Sequence, residues 1–215
     1  MKRNITLIFI SLILTLLITS CGKKEKEESL EEISVDEIVE KGEKVDNQMQ
    51  SVEAKIEARR KRGDTVALDY KTMLTFIPDL AGWEADKPEG SNLTVGGIKY
   101  STASKSFKNS KGDEITIEIF DYNTSLGMLT SSTMWKNFGL ESDNEDSYQK
   151  VSQYNGIKDS WIYEEINKVD KITNVNFSLN DRYFLTLTLS GQTDLNYAKE
   201  LAEKVIAKGK PYFNK

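Results

Sequence analysis

Hydrophobic residues at every second position are the clearest pattern in the second half of this chain. Isoleucine alternates with polar residues from Ile115 to Ile119, and leucine does so from Leu185 to Leu189. This spacing gives an extended strand one apolar and one polar face. Together with turn signals such as Asn155-Gly156, the pattern predicts about six strands, at residues 98–107, 115–119, 151–154, 160–166, 172–179 and 183–189.

Helical spacing appears between and after these strands. One helix is predicted before Gly139, with apolar residues at Leu126, Leu129, Met134 and Phe138. Asp194 is a candidate N-cap of a final helix, whose apolar stripe is Leu195, Ala198, Leu201, Ala202, Val205 and Ile206. A short helix or turn is predicted within residues 68–80, followed by a long loop. Hairpin-joined strands interrupted by helices favour an α+β domain over residues 66–213, with helices packed on an antiparallel sheet.

Residues 33–63 precede this domain and form a further helical pattern. Its narrow apolar seam consists of Val35, Ile38, Val45, Met49, Val52 and Ile56. The basic residues 59–62 suit the negative end of a helix dipole, and Gly63 is expected to end the helix. Three interpretations remain open: a coiled-coil stalk, an amphipathic helix packed on its own domain, and a free helical spacer.

The first 20 residues have the pattern of a signal peptide. Lys2 and Arg3 precede an apolar run over residues 5–18, which is shorter than the about 20 residues that span a bilayer. Ser20 leads directly to Cys21, the single cysteine of the chain. This arrangement resembles a bacterial lipoprotein signal, which implies cleavage before Cys21 and attachment of palmitate and further acyl chains there. A plain secretory signal that leaves Cys21 as a free thiol is the alternative.

Residues 21–32 are charged and are predicted to be a solvated tether. Lys24 to Glu28 loosely resembles a surface-export signal of some lipoproteins. Gly22 rather than Asp follows the cysteine, which by resemblance is compatible with delivery to an outer membrane. We therefore expect a lipid-anchored cell-envelope protein at the outer membrane, on its periplasmic or its surface face. The membrane is then a partner through the lipid on Cys21.

Composition argues against several classes of function. The chain has 34 acidic and 29 basic side chains, so nucleic-acid binding by electrostatics is not favoured. It has no histidine, which removes Ser-His and Cys-His nucleophile pairs and His-ligated metals. No dinucleotide or P-loop glycine motif is present. We expect no nucleic acid, no metal and no cofactor.

Three groups of carboxylates are the remaining candidates for chemistry. Glu164 and Glu165 would face opposite sides of a strand, and a solvent-facing role is expected. The acidic stretch of residues 141–146 lacks the glycine and the terminal glutamate of a calcium loop, so solvation of a loop is favoured. Asp121 precedes a predicted helix N-cap within residues 124–125, where it would favour the helix dipole rather than act in catalysis.

Aromatic residues are more numerous than a core of this size requires. The chain has three Trp, nine Tyr and eight Phe residues. Either a surface of Tyr and Trp binds sugars, peptides or proteins, or Trp83 and Trp161 fill the core with tyrosines at its rim. The candidates are Trp83, Tyr100, Phe107, Tyr122, Trp135, Tyr148, Tyr154, Trp161, Tyr163, Tyr183 and Phe184.

The order of these elements, the Gly82-Trp83 entry and the late Asn155-Gly156 hairpin resemble the PsbP-like fold over roughly residues 69–213. The resemblance implies an assembly or binding role and carries no catalytic residue to this chain. We therefore expect a non-enzymatic envelope protein with an envelope protein as partner. The alternative is an envelope hydrolase that uses two carboxylates on a saccharide, and a carrier of small ligands would require an apolar pocket.

Overall fold

The computed structural model describes residue 50 and residues 53–95, 98–123 and 139–214. Their strands form one sheet in which every pair is antiparallel. The strands are β1 Glu84–Ala85, β2 Glu89–Val95, β3 Ile98–Lys108, β4 Glu114–Asp121, β5 Glu141–Asp143, β6 Ser147–Tyr154, β7 Ser160–Asn167, β8 Ile172–Leu179 and β9 Tyr183–Ser190. The described helices are α1 at residues 53–61, α2 Tyr70–Leu74 and α3 Leu195–Phe213. The predicted α+β class is confirmed.

Several predictions fall outside the described residues. They are the signal peptide, Cys21, the tether, the helical pattern up to residue 49 and the predicted helix over residues 126–138. Among the described residues, no helix has the length and apolar character needed to cross a membrane.

The sheet order is β1-β3-β4-β9-β8-β7-β6-β5, and β2 also pairs with β3. Strands β5 to β9 therefore form a meander, and its last strand returns to lie beside β4 in the middle of the sheet. The β4–β9 pair is in register from Glu114 opposite Ser190 to Asp121 opposite Tyr183. This pair brings together the two strands with the strongest alternation in the sequence.

The sheet has nine strands within the described residues, more than the six predicted. All six predicted strands are present, but β1, β2 and β5 were not predicted. The expected loop before residue 98 was wrong, because it contains β1 and β2. Strand β2, with the sequence EGSNLTV, has little β-branched or aromatic character and is held by its full-length pairing with β3. Strands β1 and β5 have only two and three residues, too few to show a period.

One face of the sheet packs against α2 and α3 and forms the core. From this face, Ile115, Ile117, Leu185 and Leu187 are fully buried, in agreement with their predicted role. Helix α3 contributes the predicted stripe, and Asp194 caps it by accepting a hydrogen bond from the backbone N–H of Tyr197 at 2.9 Å. A Cβ atom at position 209 would lie 2.2 Å from the ring of Phe213, so glycine is required there.

Helix α1 ends as predicted at Gly63. The backbone N–H of Gly63 donates to the carbonyl of Arg60, and that of Asp64 donates to the carbonyl of Arg59, which is a Schellman motif. Gly63 has a φ of +76°, a conformation that favours glycine. Ile56 is 4% exposed and Arg59 is equally buried. Of the three interpretations of this helix, the described stretch therefore fits packing on its own domain.

Candidate binding face of the sheet

The face of the sheet turned away from α3 is the candidate functional site, and we call it the distal face. Strand register arranges its side chains in three rows. The first row is Ser91, Thr102, Phe120, Phe184, Ser178, Trp161 and Gln153. The second row is Glu89, Ser104, Glu118, Thr186, Asn176, Tyr163 and Val151. The third row is Ser106, Thr116, Thr188, Asn174, Glu165 and Gln149.

Four half-buried aromatic side chains lie in the first two rows, namely Phe120, Phe184, Trp161 and Tyr163, and Tyr122 lies just beyond them, directly after β4. Phe120 stacks on Tyr122 with ring centroids 5.7 Å apart, and Tyr122 lies 6.5 Å from Phe184. Burial, and to a lesser degree the charge of Glu118, raises the pKa of Tyr122. Burial and the neighbouring Glu165 raise the pKa of Tyr163 to about 12. Both hydroxyl groups are therefore protonated at neutral pH, and that of Tyr163 hydrogen-bonds Glu165.

A cavity of about 240 Å³ opens on this face. Its side chains are mainly apolar and come from β6, β7, β8 and β9. The lining residues are Val151, Trp161, Ile162, Tyr163, Asn176, Ser178 and Phe184. An apolar and aromatic lining with a few polar groups is the usual composition of a ligand site.

The two polar residues of this cavity have no partners among the described residues. Neither the hydroxyl group of Ser178 nor the side-chain amide of Asn176 makes a hydrogen bond there, and neither is among the fully buried polar atoms that lack a partner, which are Arg59 Nε, Ser101 Oγ and Asn123 Oδ1. These two groups are therefore open to the cavity, where water or a ligand reaches them. The cavity thus offers an amide and a hydroxyl group beside aromatic rings.

In the third row of the same face, the polar side chains hydrogen-bond one another. The hydroxyl of Thr188 donates to Asn174 at 2.9 Å, and the amide of Asn174 donates to Glu165 at 3.1 Å. Gln149 donates to the same carboxylate at 3.3 Å. These side chains use each other as partners, so the unpaired groups of the distal face lie in the other two rows.

A second, polar concavity of about 380 Å³ lies on the same face, over β2, β3 and β4. Its lining includes Glu89, Ser91, Thr102, Ser104, Glu118 and Phe120. Glu118 is half-buried and makes no hydrogen bond or ion pair with any described residue. It is therefore a carboxylate whose charge the described part of the protein leaves uncompensated.

The carboxylates that the sequence suggested as candidates lie away from the two concavities or already have hydrogen-bond or ion-pair partners. Glu164 and Glu165 do face opposite sides of β7, but the expected solvent-facing position is wrong for Glu164. It is 4% exposed, and Lys199 of α3 binds it at 2.7 Å. Glu165 lies in the third row and accepts hydrogen bonds from Gln149 and Asn174.

The acidic stretch forms a hairpin instead of a loop, since β5 pairs with β6. Lys150 binds Glu141 at 3.0 Å, and Lys168 binds Asp143 at 2.7 Å. Among the described residues, no group of three or more acidic, cysteine or histidine side chains is placed to hold a metal ion.

Asp121 is fully buried and belongs to an ionic cluster at one end of the sheet. It binds Arg182, and it also accepts hydrogen bonds from the backbone N–H groups of Leu68 at 2.7 Å and Asn123 at 2.8 Å. A short distance away, Lys55 binds Asp159 and Asp181. Asp121 thus holds chain segments together. The helix whose dipole it was expected to favour would begin at residues 124–125, which are outside the described part.

Sequence reasoning found part of the distal face and missed the rest. Tyr122, Trp161, Tyr163 and Phe184 were among the aromatic candidates, whereas Phe107 and Tyr183 of the same group lie in the core. Trp83 packs against the core, but Trp161 lines the distal cavity. Asn176 and Ser178 belong to no motif, and only the strand register reveals their position. A weak signal was present, because Asn174, Asn176 and Ser178 alternate along β8 with the buried Val175, Phe177 and Leu179.

Comparison with known proteins gives little further information. No family model matches the chain, and no curated protein matches it significantly. Among solved structures, it is similar to the X-ray structure of an uncharacterised protein from Mycobacterium smegmatis, with 11% sequence identity and a TM-score of 0.35. That similarity covers 65% of this chain and 96% of the other. A similarity at this level assigns neither a fold family nor a function to the chain.

Proposed function

We propose that this chain is a lipid-anchored cell-envelope protein with a non-catalytic binding or assembly role. In this proposal acylated Cys21 holds the protein at the outer membrane, and the tether carries a PsbP-like domain away from the bilayer. The distal face of that domain binds an envelope partner. The lipoprotein-like signal before Cys21 supports the location, and the features of the distal face support the binding role.

The single observation that carries the binding role is the cavity beside Trp161 and Phe184. It combines an apolar lining with the unpaired polar groups of Asn176 and Ser178. The polar side chains of the third row hydrogen-bond one another, whereas these two groups are open to the cavity. A partner that presents hydrogen-bonding groups and an apolar side chain would satisfy them instead.

The hydrolase alternative requires two carboxylates that converge on a substrate. The close carboxylate pairs among the described residues are bound by cations. Asp64 and Asp121 share Arg182, and Asp159 and Asp181 share Lys55. Glu89 and Glu118 line one concavity without a cation, but one strand separates them, so they lie roughly 10 Å apart, just beyond the about 6.5–9.5 Å of a hydrolase pair. We therefore retain the binding role.

Affinity purification from detergent-solubilised envelopes tests this proposal. We compare the full chain with Thr186→Arg, which adds a long side chain in the middle of the distal face, and with Lys204→Glu, a charge change on the exposed side of α3. The proposal predicts that proteins enriched by the wild type are lost with Thr186→Arg and retained with Lys204→Glu. Equal recovery with both variants, when both unfold like the wild type, would contradict a binding role for the distal face.

A further inference from the structure

Within the described residues, the three rows of the distal face carry negative charge, and Lys108, the next residue of β3 on this face, lies beyond them and pairs with Asp86 and Glu114. The three rows contain Glu89, Glu118 and Glu165, and they contain no lysine or arginine. The chain as a whole has 29 basic residues, so their absence from these rows is a local property. Carboxylates elsewhere in the described chain commonly have a cation nearby, as in the Lys105–Asp79 pair at 2.7 Å.

Glu118 occupies a central position in this charged row. It is separated from Glu89 by Ser104 on β3, and from Asn176 by Thr186 on β9. Neighbouring strands are about 4.8 Å apart, so Glu118 lies roughly 10 Å from each of them across the sheet. An acidic position and the apolar cavity are therefore within reach of one short segment.

The aromatic rings of this face also favour a cation. Phe120 lies in the acidic concavity beside Glu118, and Tyr122 stacks on Phe120. Aromatic faces attract ammonium and guanidinium groups through their quadrupoles. A half-buried carboxylate is screened less by salt than a fully exposed one, which strengthens its attraction for such a group.

We propose that the distal face binds a basic segment of a protein partner. A lysine or arginine of the partner pairs with Glu118, with Glu89 adding to the attraction. An apolar side chain of the same segment enters the cavity lined by Trp161 and Phe184, and Asn176 and Ser178 hydrogen-bond its polar groups. This inference rests on the proposed binding function and adds the chemistry of the partner.

Fluorescence anisotropy with synthetic peptides tests the inference on the purified chain. The probes are fluorescein-labelled peptides of equal length, one made of alanine, leucine and lysine and the other with glutamate in place of lysine. We expect only the lysine peptide to bind, with an affinity that falls as salt rises. Glu118→Gln should weaken this binding about tenfold, a loss of about 1.4 kcal/mol. Glu200→Gln, the same change on the exposed side of α3, should leave it unchanged.

A second pair of measurements tests the cavity. Ser178→Leu fills the cavity. We expect it to weaken binding of the leucine-containing lysine peptide, and to leave unchanged the binding of a lysine peptide that has alanine in place of leucine. Urea unfolding verifies that each variant is folded. No binding of the lysine peptide, equal binding of the glutamate peptide, or insensitivity to Glu118→Gln would overturn the inference. These three outcomes would refute only the basic character of the partner. If Thr186→Arg still abolished the recovery of envelope proteins, the proposed binding function would remain supported.

Discussion

Arg182 and Asp121 form a buried, two-point ion pair at the end of the β4–β9 pair. The Nε and Nη2 atoms of Arg182 donate to the two carboxylate oxygens of Asp121 at 2.9 and 2.8 Å, and Asp121 is fully buried. The Nη1 atom of Arg182 also donates to Asp64, just after α1. Burial alone would lower the pKa of Arg182, but the hydrogen bonds and charge of Asp121 raise it. This arginine therefore joins the sheet to the segment that leads into the domain.

Removal of Arg182 should destabilise the protein strongly. We expect Arg182→Met to lower the free energy of unfolding by about 3–5 kcal/mol, because Asp121 would remain buried without its partner. Urea unfolding measures this change. Lys168→Met, which breaks the more exposed pair with Asp143, should cost less than about 1 kcal/mol and serves as the control. Similar decreases in the free energy of unfolding for the two variants would show that the buried pair stabilises the protein no more than the exposed pair does.

Helix α1 should contribute to the stability of the domain. Ile56 is 4% exposed, and Arg59 donates to the backbone carbonyl of Asn123 at 3.1 Å. We expect Ile56→Ala to lower the free energy of unfolding by about 2–5 kcal/mol. Arg60→Ala, at an exposed position of the same helix, should change it by less than about 0.5 kcal/mol.

A chain that begins at Val66 tests the same contacts as a group. It lacks Ile56, Arg59 and Asp64, and we expect it to unfold at a lower urea concentration than a chain that begins at Asp36. Equal unfolding midpoints would mean that the preceding helix is only a spacer.

The Lys55 cluster should make stability depend on alkaline pH. Lys55 lies 2.8 Å from Asp159 and 2.5 Å from Asp181. Burial alone would lower its pKa, but these two carboxylates raise it above the usual value of 10.5. Its stabilising effect is therefore complete below about pH 10.4, the unfolded-state pKa, and is lost as the pH rises through the higher folded-state pKa.

Comparison with Lys55→Met reveals this dependence. We expect the wild type to be more stable than the variant at neutral pH, and the difference to shrink as the pH rises above about 10.4. Urea unfolding of both proteins across this range supplies the measurement. A difference that stays constant with pH would mean that the charge of Lys55 does not stabilise the fold.

The lipid anchor is a prediction from the sequence alone, because Cys21 lies outside the described residues. We expect radiolabelled palmitate to enter the full chain in cells and Cys21→Ala to remain unlabelled and to leave the membrane fraction. The several acyl chains of such an anchor together bury enough methylene groups for stable attachment. Labelling of Cys21→Ala, or no labelling of the wild type, would refute the proposed location.

Much of the fold could be predicted because it depends on local patterns. The alternation from Ile115 to Ile119, the Asp194 cap and the Gly63 stop each involve neighbours in the sequence, and the structure contains all three. The pair of Arg182 and Asp121 could not be predicted in this way, because 61 positions separate the two residues. Strand β2 was missed for a similar reason, since its pairing with β3 overrides its weak propensity.

The candidate site illustrates the same limit. The surplus of aromatic residues indicated a binding surface, but no spacing in the sequence places Ser178 beside Trp161 and Phe184. That arrangement comes from the register of β7, β8 and β9. The importance of Asn176 and Ser178 also depends on their facing the cavity without hydrogen-bond partners in the described part of the chain, and only a folded structure shows this.

In our proposal, the distal face is the surface by which this protein binds its partner. Photocrosslinking in living cells tests it most directly, with p-benzoylphenylalanine placed at Gln153, an exposed position of the first row, or at Lys204 on the opposite side of the domain. We expect a discrete crosslinked adduct from position 153 that disappears when Thr186→Arg is added, and no such adduct from position 204. An adduct from position 204 with none from position 153 would contradict it.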